Sequence, residues 1–276
     1  DGGIAFDDPD PRVRARAARA CGRLDDPRAT TPLTERLTDS NGTVRREAAE
    51  ALGVIASRQA LQALLPLYED EDERVRRVAV GAFGNFDNDR PVEYLVESLT
   101  DDSLTVRRTA VYSLVELMAN VPTDRSHELR ETVVDQLSAM DDRSVIVPLV
   151  EILEETNEPQ QLRNTTWLLG RVTGEAERER VIDALIGALE ADDEMVRQFA
   201  ATSLAKVGDE TVEARLVPLI KDESVDVDVR AQAIFTLGKI GGERSRSALD
   251  VLLDETEHDK LRERAFSAIS KLGGRS

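Results

Sequence analysis

The side chains best equipped for chemistry in this sequence are arginines, and they recur. Arg14, Arg45, Arg76 and Arg107 lie 31 residues apart, and Arg163, Arg197, Arg230 and Arg262 continue the series at less regular intervals. A ladder of guanidinium groups could hold phosphates or carboxylates through paired, charge-assisted hydrogen bonds. Other reactive groups are scarce: two histidines, one cysteine and no glycine-rich phosphate loop. These leave too few candidates for a nucleophile, a general base or a metal set. Acidic clusters such as Asp70-Glu71-Asp72 and Asp87-Asn88-Asp89 lack the glycine and distal glutamate of a calcium loop and read as solvated turns. The sequence therefore implies no catalytic residue, no cofactor and no metal site.

The elements that carry the arginines repeat with them. Each belongs to a phrase such as Val44-Arg45-Arg46-Glu47-Ala48-Ala49-Glu50-Ala51-Leu52-Gly53, which returns eight times. A fixed period of this length signals stacked supersecondary units and not one globular core. Each unit reads as two helices. The first carries leucines three and four apart, as in Thr31 to Leu37, Leu61 to Leu67 and Val92 to Leu99. An Asp-rich turn follows and supplies side-chain oxygens to cap the second helix, which bears the phrase and ends near its glycine, where a left-handed cap is easy. With the first apolar residue of the phrase as step zero, Val44, Ala48, Ala51, Leu52 and Ile55 share one side of the helix, and the alanines let neighbouring helices approach closely. The fold class is all-α: an α-solenoid of about eight helical pairs, the first incomplete. One solenoid is expected over 1–276, with sub-blocks 1–120 and 145–276 separated by a segment, 121–144, that holds an extra helix from His127 to Met140.

Composition bounds the remaining choices. The net charge is −18, and the lysines are Lys206, Lys221, Lys239, Lys260 and Lys271 against 31 arginines. An acidic, lysine-poor surface suits a protein that stays solvated in very high salt, so a halophilic archaeal source is expected, and the acidity then says little about partners. Cys21 stands where sister repeats have Leu52 or Phe83 and reads as a small apolar filler; a lone cysteine allows no disulfide framework and suits the cytoplasm. No window reaches the apolar length of a membrane span. The first residue is Asp1, not methionine, and the first repeat is half a unit. An upstream segment or a neighbouring chain is therefore expected to cover its apolar face, unless Ile4 and Phe6 fold back over Val13 and Leu24.

The thirty-residue unit, the Asp-rich turn and the Val-Arg-x-x-Ala-x-x-Ala-Leu-Gly phrase resemble the short HEAT-like repeats first recognised in phycobilin lyases. The resemblance runs from Asp8 to Gly273, with Val115, Ala205 and Ser270 in place of the glycine in repeats four, six and eight, and repeat five shifted by one residue between Leu162-Arg163 and Leu169-Gly170. It implies that the arginines pair with turn aspartates along the spine of the stack. It also implies an armadillo-type scaffold in which the second helices line a concave surface. HEAT-like deoxyhypusine hydroxylases hold iron with several His-Glu pairs; the single pair His127-Glu128 cannot build that site.

Function is then sought on the unpacked steps. Steps two, three, six and ten of the second helices hold twelve basic residues against the four acids Glu47, Glu50, Glu116 and Glu263. A cation at step ten is also favoured by the helix dipole alone. Tyr112, Trp167, Phe199 and Phe235 fall on steps three or six, and aromatic residues with arginine make interface anchors. The candidate binding face is Arg77, Arg108, Tyr112, Trp167, Arg171, Phe199, Lys206, Phe235 and Lys239. Three readings stay open: a non-catalytic scaffold whose concave face takes an acidic protein segment; nucleic-acid binding of the DNA-glycosylase type, with Trp167 and Glu116 as its only candidates; and a bilin lyase-like activity carried by the resemblance alone.

Overall fold

The computed structural model describes residues 3–24, 27–121, 126–140, 142–172 and 177–273. It divides into two compact units, 1–140 and 141–276. Every regular element among the described residues is helical.

The first unit opens with the single-turn helix α1 (Gly3–Phe6) and the first phrase helix, α2 (Pro11–Leu24). Helical pairs follow: α3 (Thr30–Arg36) with α4 (Gly42–Ile55), α5 (Arg58–Leu64) with α6 (Glu73–Phe83), and α7 (Val92–Ser98) with α8 (Leu104–Asn120). The inserted helix α9 (Ser126–Ser138) comes next, packing on α7 and α8. The second unit holds the pairs α10 (Asp142–Glu155) with α11 (Pro159–Leu169), α12 (Arg178–Gly187) with α13 (Glu194–Val207), α14 (Glu210–Lys221) with α15 (Val227–Ile240), and α16 (Gly242–Glu255) with α17 (Asp259–Gly273). The eight phrases thus occupy α2, α4, α6, α8, α11, α13, α15 and α17, and within each unit successive phrase helices pack side by side. This is the α-solenoid architecture that the period dictates.

Turn chemistry sets the helix starts. Asn41, Asp72, Asp193 and Asp226 accept hydrogen bonds from backbone amides at the starts of α4, α6, α13 and α15. Steps zero, four and eight form the core: Val44, Ala48 and Leu52, or Val196, Ala200 and Leu204, are fully buried. Pro148 and Pro218 are accommodated inside α10 and α14.

The phrase glycine does not serve as a left-handed cap. Gly53 lies within α4, and positive φ occurs later, at Ala56, Gly208 and Gly241. The glycine is required by close approach. A Cβ at Gly22 would stand 2.9 Å from the Cβ of Ala51, one at Gly53 would stand 2.7 Å from Ala82, and one at Gly238 would stand 2.6 Å from Ala268. Step nine of one phrase helix therefore presses on step seven of the next. Gly170 obeys the same rule against Ser203, which aligns repeat five on its glycine. Val115 and Ser270 stand at step nine of α8 and α17, the last described phrase helices of their units.

At the start of the first unit Phe6 is buried and its carbonyl accepts a hydrogen bond from Arg36 at 2.7 Å. Leu24 is 75% exposed and Val13 37%. The side chain of Ile4 lies outside the described residues. Cys21, in the first phrase helix, is half-buried where Leu52 is fully buried.

Candidate functional site

The phrase arginines are engaged inside the protein. In the first unit three of the four reach the aspartate 25 residues ahead: Arg14 to Asp39 at 2.7 Å, Arg45 to Asp70 at 2.8 Å and Arg76 to Asp101 at 2.8 Å. Each also donates to the backbone carbonyl six residues behind, Asp8, Asp39 and Asp70 respectively, at 2.7 to 2.9 Å. One guanidinium thus ties two successive turns together. Arg163 pairs instead with Asp193, 30 residues ahead and the capping residue of α13. Arg107, Arg197 and Arg262 keep the carbonyl bond, to Asp101, Ala191 and Thr256. Arg230 bonds the carbonyl of Ile220 instead. The Arg14 hydrogen bond holds the Asp39 carboxyl below the usual carboxylate range against the opposing effect of burial. The ladder is accordingly a structural device and not a ligand site.

The nine sequence-predicted face residues divide between the units. In the first, Arg77 and Tyr112 are exposed and Arg108 half-buried, on α6 and α8. In the second, Trp167 and Arg171 on α11 and at its end, Phe199 and Lys206 on α13, and Phe235 and Lys239 on α15 are exposed or half-buried. Trp167 is half-buried, with the Arg171 guanidinium 5.0 Å from its ring centre. The ammonium of Lys239 stands 5.7 Å from the ring centre of Phe235. Cation–π contacts of this kind hold a charge over an aromatic face. Trp167 and Glu116, the pair considered for base excision, belong to different units; burial raises the pKa of Glu116.

Two further clefts lie between phrase helices on this side. One, between α2 and α4, is lined by Arg19, Gly22, Arg23, Arg46, Glu47 and Glu50 among others. Its cations are partly consumed: Glu47, 1% exposed, accepts from Arg19 at 2.6 and 2.8 Å and pairs with Arg46. The Arg19 hydrogen bond lowers the Glu47 pKa despite burial. The other, between α15 and α17, is lined by Phe235, Gly238, Lys239, Arg264, Ala268 and Lys271, with Ser267. Arg264 and Lys271 sit in the basic columns of the sequence but were not singled out from it, because only the register of α15 against α17 brings them to Phe235.

Comparison with known proteins agrees with the helical-repeat fold. The family model for HEAT repeats matches residues 4–79, 32–115, 146–228 and 182–270. A HEAT repeat-containing taxis protein of Halobacterium salinarum is 49% identical over 163 residues, which are 59% of this chain and 40% of that protein. The chain thus spans well under two thirds of that relative. Among solved structures, a chain from a study of the phosphorylation-controlled interaction between cadherin and beta-catenin aligns with TM-score 0.58 and 18% identity, covering all of this chain and 61% of that one. Human deoxyhypusine hydroxylase aligns at 20% identity with TM-score 0.41, over 99% of this chain and 95% of that one.

Proposed function

The chain belongs to the HEAT repeat family, and from that premise we propose that it is a non-catalytic scaffold whose phrase-helix face takes an acidic segment of a partner protein. The observation that carries this reading is a division of labour among the cations. Arginines at step one are spent on the ladder, whereas Arg77, Lys206 and Lys239 are exposed on the same helices, with Lys239 over the ring of Phe235. Aromatic and basic side chains carried by the phrase helices of each unit suit a partner that offers carboxylates and apolar side chains together. Within the family, the 31-residue period supports the short, phycobilin lyase type of repeat.

The salt-loving relative's name supports a place in taxis signalling, where a scaffold would bring two components together. No described helix is long and apolar enough to cross a membrane. That, with the lone cysteine, supports a cytoplasmic protein.

The test is affinity capture at high salt with the unaltered chain and with the variant Arg108→Glu, Arg171→Glu, Lys206→Glu. The reading expects a captured protein, identified by mass spectrometry, that the variant loses while its helix content stays unchanged. Retention of the same proteins by both would overturn it, and capture of nucleic acid instead, with affinity falling steeply as salt rises, would favour the nucleic-acid reading.

A further inference from the structure

The two clefts between phrase helices are built to one plan. In each, steps six, nine and ten of the leading helix face steps three, six, seven and ten of the following one. The glycine at step nine presses on the alanine at step seven, Gly22 on Ala51 and Gly238 on Ala268. The close approach leaves a floor of small residues, and the side chains around it decide what the cleft holds.

In the α2–α4 cleft, step three is Glu47. Its carboxylate is almost wholly buried, held by two hydrogen bonds from Arg19 and paired with Arg46. That cleft carries its own acidic occupant. In the α15–α17 cleft, step three is Arg264, and Lys239 and Lys271 occupy both step-ten positions. All three are exposed, none has an ion-pair partner among the described residues, and no carboxylate lines the cleft. Glu263, the next residue before Arg264, is exposed and outside it. Phe235 replaces Arg19 at step six and supplies an apolar wall half-open to solvent. Three cations without an ion-pair partner among the described residues, lining one cleft with an aromatic ring that Lys239 overlies at 5.7 Å, are conspicuous in a protein of net charge −18, two of whose five lysines are there.

We propose that the α15–α17 cleft is the principal docking point for an acidic linear segment of a partner protein, with one apolar side chain seated against Phe235 and flanking carboxylates held by Lys239, Arg264 and Lys271. The Glu47 pairing shows within the same molecule that this inter-helix position seats a carboxylate. The inference deepens the scaffold reading, on which it rests, by naming where on the face the segment anchors and the residue pattern it must carry. An apolar residue between acids satisfies both halves of the cleft, whereas a purely acidic run leaves Phe235 uncovered and a purely apolar one leaves three charges unmatched.

The experiment titrates fluorescein-labelled peptides into the full chain and follows anisotropy, at the lowest salt at which circular dichroism shows the helices intact. The probes are Asp-Asp-Phe-Asp-Asp, the same peptide with alanine for phenylalanine, and Lys-Lys-Phe-Lys-Lys. The first is expected to bind tightest. Its affinity should fall at least about tenfold in the variant Lys239→Ala, Arg264→Ala, Lys271→Ala, whose substitutions are all at exposed positions, and several-fold when the phenylalanine is removed. Equal binding to that variant, with loss in Arg77→Ala, Arg108→Ala, would overturn the cleft while leaving an acidic-segment face in the first unit. No preference of the unaltered chain for the acidic peptides over the lysine peptide would overturn both.

Discussion

At the scale of the residue, the ladder shows how an arginine that looks available in sequence is committed by its neighbours. The 31-residue spacing is visible in the chain, but the partner is legible only through the resemblance, because it lies 25 residues ahead across a turn between helices. Where the spacing breaks, the partner goes: 25 residues beyond Arg107 stands Thr132, and among the described residues Arg107 keeps only carbonyl contacts. Asp193 offers the clearest test. Arg163 draws its carboxyl from 3.8 to about 2, burial opposes, and the Val196 amide assists. A carboxyl whose folded pKa lies below its unfolded value stabilises fully above the unfolded value and loses that contribution as pH falls through the folded one. Asp193→Asn keeps an oxygen to cap α13 but removes the charge. With both partners partly solvated, the loss near neutral pH should be roughly 1 kcal/mol. The urea midpoints of the two proteins should converge between pH 3.8 and about 2. A gap that persists undiminished to the acid end would show that the pair contributes nothing through charge.

At the scale of the element, helix number, turn chemistry and the core columns were legible because apolar spacing and Asp-rich turns act locally. What the glycine does was not, because it depends on how closely two helices pack, and that is a property of the pair. Two glycines in helices separate the effects. Gly53→Val places a side chain where Ala82 stands 2.7 Å away, and overpacking of this kind should cost about 1 to 3 kcal/mol. Gly187 has φ −57° and nothing within 4 Å of where a Cβ would stand, so Gly187→Ala should stabilise α12 by about 0.5 to 1 kcal/mol through helix propensity alone. Chemical unfolding of both variants decides the matter. Equal effects of the same sign would mean that step nine answers to the chemistry of the single helix and not to packing between helices. Ala48→Phe, at a wholly buried step four, should behave like Gly53→Val.

At the scale of the whole molecule, charge governs behaviour. The net charge of −18 disfavours the compact state through self-repulsion, and salt screens it. The thermal unfolding midpoint should therefore climb as potassium chloride is raised from low to molar concentration, and a flat profile would refute the high-salt reading of the composition. The candidate face was half legible at this scale. Helical steps select the outward columns from sequence, but not which of their charges are already satisfied: Glu47 looked like one acid among many cations, and the structure shows it paired with both Arg19 and Arg46. Lysine placement supplies the most direct test of the central claim. Lys206, Lys239 and Lys271 stand at step ten of phrase helices, whereas Lys221 ends α14 and Lys260 pairs with Asp228. Zero-length carbodiimide coupling of the captured complex joins lysine amines to carboxylates in contact with them. Mass spectrometry is predicted to find partner acids joined to Lys206, Lys239 and Lys271; links confined to Lys221 and Lys260 would contradict the assignment of the phrase-helix face as the docking surface.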